Sequence, residues 1–300
     1  MPPDMRVGIT LPVMEAGLTS DLLETWSRTV DEGPFSSLCF GERMAFDNPE
    51  TLTLLGAVAA WTSRVRLVTT VVVPQLHDPV LLAKSLATGD LLSDGRLTVG
   101  VGVGGREEDY RAVGAPVSTQ TMGEMAARVA VMRQVWAGST VLDDVGSVGP
   151  QPVQPGGPPI LVGTMGRKTV RHAAAWADGL AGVTLDLDLE QVGDLFEIAR
   201  TAWAAKGRTP HLATSFFFAL GEPAAARAQV HRHLRRYMSW LPTDLVDAMA
   251  PTVGYAGDAA GLAALLHQFA QIGTDEVHLI PTSSDITQVE MAARVVAQAT

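Results

Sequence analysis

The feature that most constrains this chain is its regular alternation of short β-rich runs with longer helical patterns. Arg6–Leu11 (RVGITL) reads as a first strand, followed by a helix over Asp21–Asp31 with Ser20 as its N-cap. Ser37–Gly41 reads as a second strand, and Pro49–Thr62 as a helix with its proline in the first turn, where a missing N–H costs nothing. Val65–Val73 (VRLVTTVVV) is almost all β-branched, the mark of a strand covered on both faces. Helix Val80–Leu92, the turn Ser93–Arg96 (SDGR) and a fourth strand Leu97–Gly102 follow.

The pattern then loosens. Glu107–Val113 and Met122–Trp136 read as helices, and the Gly- and Pro-rich Ala137–Pro159 as a loop excursion. Strands resume at Pro159–Gly163, Gly179–Val183, His211–Leu220 and Glu276–Ile280. Helices are expected over Arg167–Ala177, Leu189–Ala205, Pro223–Tyr237, Asp258–Gln271 and Asp285–Ala299, with an irregular stretch up to Tyr255. Eight strands, each followed by a helix, predict one α/β domain over residues 1–300, a (β/α)8 TIM barrel. A doubly wound open sheet fits less well, because the first strand is followed by GITLP rather than a GxGxxG turn.

Composition agrees with a globular enzyme-sized body. The chain is 47% apolar and 18% charged, and folding should hide roughly three quarters of the unfolded surface. A net charge of −10 argues against a nucleic-acid partner, which needs a basic face. The single Cys39 excludes an internal disulfide and points to the cytoplasm. No signal peptide or bilayer-length apolar run is apparent, so no membrane role is expected.

In such a barrel the chemistry sits at the C-terminal ends of the strands. Three segments there carry candidate residues. Gly163-Thr164-Met165-Gly166-Arg167 joins a strand to a helix; free N–H groups, small residues, and the charges of Arg167, Lys168 and Arg171 suit a phosphate, although an ordinary turn with a basic face would look alike. Gly100, Gly102, Gly104 and Gly105 would let something flat approach the backbone, or serve packing alone. Glu42-Arg43 ends the second strand and could bind or protonate a substrate, or form a rim ion pair. The histidines are dispersed, and neither a metal-binding pattern nor a GxSxG elbow is present.

Taken together, Asn48–Leu52, Arg64–Gly105, Asp109–Pro116 (DYRAVGAP), Gly157–Leu180 and Ile272–Asp285 resemble, in order, the motifs of the bacterial luciferase-like family of flavin- and deazaflavin-dependent oxidoreductases. The resemblance covers nearly the whole chain, Arg6 to about Val296. It implies a barrel with an insertion after strand four, here residues 103–157, and a reduced flavin or coenzyme F420 at the strands' C-terminal face. It makes the Gly163–Arg167 turn the cofactor phosphate site, sets Thr69-Thr70-Val71 behind the cofactor ring with Gly102 and Gly104 nearby, and implies a cis peptide bond at Thr70–Val71. Deazaflavin members carry an acid followed by His where this chain has Glu42-Arg43. Arg43 stays protonated and cannot shuttle a proton at neutral pH; it can hold an anionic substrate or a developing negative charge.

The expected function is F420-dependent hydride transfer to or from a small organic substrate. The alternatives are an FMN-dependent monooxygenase fed by a separate reductase, and a barrel that binds flavin without catalysis. A homodimer is expected, from the resemblance and from the apolar helices Leu52–Trp61 and Val80–Leu92.

Overall fold

A computed structural model describes residues 5–140 and 143–299; of the expected 103–157 insertion, 141 and 142 fall outside it, as do 1–4 and 300 of the chain. The elements begin β1 (Arg6–Thr10), α1 (Ser20–Glu32), β2 (Ser37–Phe40), α2 (Thr51–Trp61), β3 (Arg66–Val72), α3 (Pro79–Leu92) and β4 (Leu97–Val101). Next come α4 (Glu107–Ala112), α5 (Met122–Trp136), β5 (Ile160–Val162), α6 (Arg167–Ala173), β6 (Gly179–Val183), α7 (Leu189–Ala204) and β7 (His211–Leu220). The chain ends with α8 (Pro223–Tyr237), α9 (Thr243–Met249), β8 (Tyr255–Gly257), α10 (Ala259–Gln271), β9 (Glu276–Pro281) and α11 (Ile286–Ala299).

All strand pairs are parallel. The order β6-β5-β4-β3-β2-β1-β9-β7 closes through β6–β7 into the expected eight-stranded barrel. The sequence gives no sign of β8, since three residues carry too little pattern to read. β7 is ten residues long, and its first half pairs with the five of β6. Beyond β6, Phe218–Leu220 pair with Tyr255–Gly257. Phe218 also pairs with Pro281 on its other edge, so β8 takes the edge that β6 has vacated.

Helix starts differ from expectation where a better cap was at hand. α1 is capped by Thr19, whose extended backbone lets Oγ1 accept from the Leu22 amide at 3.2 Å, so Ser20 is already helical. Glu50 caps α2 by accepting from the Leu52 and Thr53 amides, which leaves Pro49 outside the helix. α6 stops at Ala173 rather than Ala177, because the amides of Ala175 and Trp176 turn back to carbonyls only three residues earlier.

The main core lies between barrel and helices, with Trp26, Phe35, Phe216 and Phe269 fully buried. Each such side chain stabilises the fold by about 1.5–3 kcal/mol. A second cluster, Phe217, Val230, Leu234, Met238, Val246 and Val253, fixes α8 and α9 over the end of β7. At the opposite, N-terminal face, Arg96 of the SDGR turn donates to Ser93 O, Thr62 O, Val65 O and Thr62 Oγ1 at 2.8–2.9 Å. Arg96 thus ties the loop after α2 to the turn before β4, while the C-terminal face opens into a cavity.

Candidate active site

The cavity at the C-terminal ends of the strands holds about 430 Å³, a usual size for a small-molecule site. One wall is Thr70-Val71, whose peptide bond is cis, as the resemblance implies. The β3–β4 register shifts between Thr69 and Val72, which turns Val71 out of the regular ladder. Glycines on the neighbouring strands make the room. A Cβ on Gly100 would lie 2.1 Å from Thr69 O, and one on Gly41 2.7 Å from Thr70 O. On Gly102 and Gly163 it would lie 2.7 and 2.9 Å from the Val71 methyls. The glycine-rich strand ends thus form a bed for one backbone segment.

Of the sequence candidates, Glu42, Thr70, Val71, Gly102, Gly104, Gly163, Thr164 and Met165 line this cavity. Thr69 does not: it is fully buried and its hydroxyl donates to Gly100 O at 2.8 Å. Gly166 and Arg167 lie just past the lining. The Gly166 amide donates to Thr164 Oγ1, and Arg167 makes an exposed ion pair with Asp194 at 3.2 Å.

Glu42 and Arg43, adjacent in sequence, part company. Glu42 is buried, takes the Val73 amide on Oε2 at 2.8 Å, and meets His77 Nε2 with Oε1 at 2.7 Å. Arg43 turns the other way and donates Nε–H to Asp109 Oδ2 at 2.8 Å. Asp109 also accepts the Met44 and Ala45 amides at 3.0 and 2.7 Å, which fixes the loop after β2 to α4.

Sequence reasoning missed several polar residues of this site, His233, Thr10 and His278 among them. His233, on α8, lines the cavity; its Nδ1 contacts Glu15, and its ring stacks on Tyr237. The two residues are 218 positions apart, so no local pattern signals the pair. Thr10 and His278 line the cavity at its floor. Below His278, Glu276 accepts from Ser36 and Ser37 at 2.6 and 2.7 Å and meets His211 at 3.2 Å. Burial alone would push the Glu276 carboxyl up, but the hydrogen bond with His211 and the nearby His278 hold it well below the usual carboxylate range. Burial pushes the His278 imidazole down, and contact with Cys39 and Glu276 more than offsets this, bringing it to about 10. Inward-facing alternate positions on β9 were the one available signal.

Among the described residues, four buried polar atoms of cavity-lining side chains have no hydrogen-bond partner, Thr10 Oγ1, Arg106 Nε, His233 Nε2 and His278 Nε2, the last of which stands 3.7 Å from the Glu276 carboxylate. Together with the flat Thr70-Val71 wall they fit a planar ring system with a polar edge, as a flavin or deazaflavin presents. Among the described residues no group of His, Cys, Asp and Glu is arranged to hold a metal, and no helix is long and apolar enough to cross a membrane.

Known proteins of similar sequence and shape point the same way. An uncharacterized protein of Mycobacterium tuberculosis is 39% identical over 163 residues, 51% of this chain and 56% of that protein. An F420-dependent glucose-6-phosphate dehydrogenase of Kineococcus radiotolerans is 32% identical over 174 residues, 54% of this chain and 50% of that enzyme. The match thus spans about half the length of these curated relatives. The crystal structure of a monooxygenase from Streptomyces bottropensis superposes with a TM-score of 0.77 over 98% of this chain and 97% of its own, at 24% identity, and so shares the fold. The family model for luciferase-like monooxygenases matches residues 10–278, which takes in β2 to β8 whole, the last residue of β1 and the first three of β9, and the chain belongs to that family.

Proposed function

We propose that this protein is an F420-dependent oxidoreductase that moves hydride between the deazaflavin and a small organic substrate at a C=C, C=N or alcohol/carbonyl group. The observation that carries this reading is one cavity wall on which the glycine-bedded Thr70-Val71 segment stands beside the buried carboxylate of Glu42. The kinship with an enzyme named as F420-dependent supports the choice of deazaflavin. When bound, the cofactor supplies or accepts the hydride.

In this reading the chain's own residues handle binding and the accompanying proton. Thr70, Val71, Gly102, Gly104 and Gly163 receive the ring, and Thr10 and His233 offer their free polar atoms to its edge. Thr69 fixes the strand behind by its bond to Gly100. Thr164, Met165, Gly166 and Arg167 hold the phosphate, with Asp194 parking the Arg167 side chain at the turn. Oxidation of an alcohol releases a proton from oxygen along with hydride from carbon. Glu42, held by the Val73 amide and in contact with His77, is the proton acceptor on the cavity wall, and it returns the proton in the reduction direction. Because Arg43 is engaged by Asp109, its charge does not lock the Glu42 carboxylate in a direct pair. The protein acts as a homodimer in the cytoplasm.

The second reading, an FMN-dependent monooxygenase that receives reduced flavin from a partner reductase, is favoured by the name of the family. Titration of the purified protein with F420 and with FMN, followed by cofactor fluorescence, separates the readings. Saturable F420 binding with hydride exchange to a small alcohol or carbonyl supports the first. Binding of reduced FMN with oxygen consumption replaces it with the second. Binding without turnover leaves a flavin-holding barrel, and binding of neither overturns both enzyme readings.

A further inference from the structure

Arg106, the residue that precedes α4, lines the cavity, and its guanidinium carbon lies 3.5 Å from the centroid of the Trp240 ring and 4.8 Å from that of Tyr237. Arg43 approaches the same Trp240 ring at 5.5 Å. Two guanidinium groups therefore share one aromatic wall. Stacking of this kind holds a cation in place without neutralising it.

The carboxylates around the cavity mouth are already committed. Asp109 is taken by Arg43 and two backbone amides, Glu42 by His77 and Val73, and Glu15 by His233. Asp47 pairs with Arg236, Glu107 pairs with Arg111, and Glu108 is exposed to solvent. Among the described residues Arg106 has no ion pair, and its Nε is buried without a partner; so is NH1 of Arg43, whose side chain is 4% exposed. Burial disfavours the charged form of Arg106, as does the charge of Arg43, and together they outweigh the favourable contacts with Tyr237 and Asp109. Buried guanidinium donors with nothing to donate to are costly unless a ligand completes them.

We propose that Arg106, backed by Arg43, is the recognition site for a carboxylate on the substrate, so that the substrate is an organic monoanion with an apolar body. One uncompensated positive charge suits a monoanion better than a phosphate dianion, and the planar fork matches a carboxylate. Leu185, Phe217, Met238 and Ile280 line the cavity as the apolar share. The anion site stands on geometry alone; its occupant is called a substrate on the strength of the proposed oxidoreductase activity.

Calorimetric titration with benzoate and 2-naphthoate, against their neutral amides, tests this. Both carboxylates should bind at least about tenfold more tightly than the amides. Arg106→Gln should weaken the carboxylates by about ten- to a hundredfold and leave the amides unchanged. Arg106→Lys, which keeps the charge but loses the fork, should fall between, and Arg111→Gln, the same loss of charge on the exposed face of α4, should change nothing. Thermal unfolding of each variant checks the fold. Equal binding of acid and amide, no saturable binding of either acid, or indifference to Arg106→Gln overturns the proposal. Repeating the titration with saturating F420 assigns the carboxylate. Undiminished benzoate binding supports a substrate site, whereas displacement by F420 but not FMN gives Arg106 to the cofactor's carboxylate tail and overturns it. If neither cofactor binds while benzoate still does, the oxidoreductase reading fails and the anion site stands.

Discussion

Glu42 at the end of β2 and His77 in the turn after β3 meet at 2.7 Å, and the other oxygen of Glu42 holds the Val73 amide at 2.8 Å. One buried carboxylate thus both anchors the backbone just beyond the Thr70-Val71 wall and faces the cavity. In the proposed reaction His77, whose side chain is 15% exposed, would be a second station for the proton that Glu42 takes up.

Glu42→Gln should separate the two duties. The amide can still accept from Val73 but no longer pairs ionically with His77, so stability should fall by about 1–3 kcal/mol. Turnover with F420 should fall by about 10²–10⁴, the usual worth of a general acid–base group. Urea unfolding and steady-state rates check both. Near-normal turnover in a folded variant would reduce Glu42 to an anchor.

The barrel was legible because its signals are local: β-branched runs, turn residues and helix periodicity recur along the chain. The glycines of β4 and β5 were legible as points of close approach, though not what approaches them, since Val71 reaches Gly102 and Gly163 only once the strands are side by side. Glu42 was visible as an acid at a strand end, but its partner His77 is 35 residues away on another strand's loop. Arg106 was invisible for the same reason. Its meaning comes from Trp240 and Tyr237, which α8 and the following turn bring over the mouth. Strand-end positions can be read from order alone, whereas pairings across the mouth depend on the closure of the barrel.

Two glycine substitutions should give opposite results. At Gly100 an added Cβ meets backbone, Thr69 O at 2.1 Å, which cannot move without breaking the β3–β4 ladder. Gly100→Ala should therefore lose several kcal/mol of stability or fail to fold, as overpacking against fixed atoms does. At Gly102 the obstacle is a Val71 methyl at 2.7 Å, which can swing toward the cavity. Gly102→Ala should fold with only a modest loss, and should bind cofactor more weakly because the ring's wall has moved. Thermal unfolding and cofactor titration distinguish the two; equal behaviour in both assays would count against the bed described above.

The proposed homodimer has a surface to form on. α2 and α3 pack side by side, and Leu81, Leu91 and Leu92 on α3 are 62%, 51% and 56% exposed. Leu52 and Trp61 of α2 are half-buried beside them. A stable dimer needs about 800 Å² from each partner, which two adjacent helices can supply. Light scattering should give twice the monomer mass for the natural protein and the monomer mass for Leu81→Glu combined with Leu92→Glu. A natural protein that is monomeric at micromolar concentration would refute the dimer.

The buried Glu276–His278 pair predicts the pH dependence of stability. The folded His278 value of about 10 lies above the ordinary 6.5, so its contribution is complete below 6.5 and disappears as the pH rises toward 10. Glu276 is shifted the other way, below 4.5, so its contribution is present above that value and is lost as the pH falls through the folded-state value. Unfolding free energy should therefore be highest in the weakly acidic range and decline on either side. In urea unfolding series, His278→Gln should be less stable than the natural protein near about pH 6 and should lose less stability between about pH 6 and about pH 9. Glu276→Gln leaves a buried imidazole without its counter-charge, a change that costs about 3–5 kcal/mol in buried pairs, and should flatten the acid limb instead. Parallel curves for the natural protein and His278→Gln across the alkaline range would show that the imidazole is neutral in the folded state, which would leave His211 and Arg6 to face the Glu276 carboxylate.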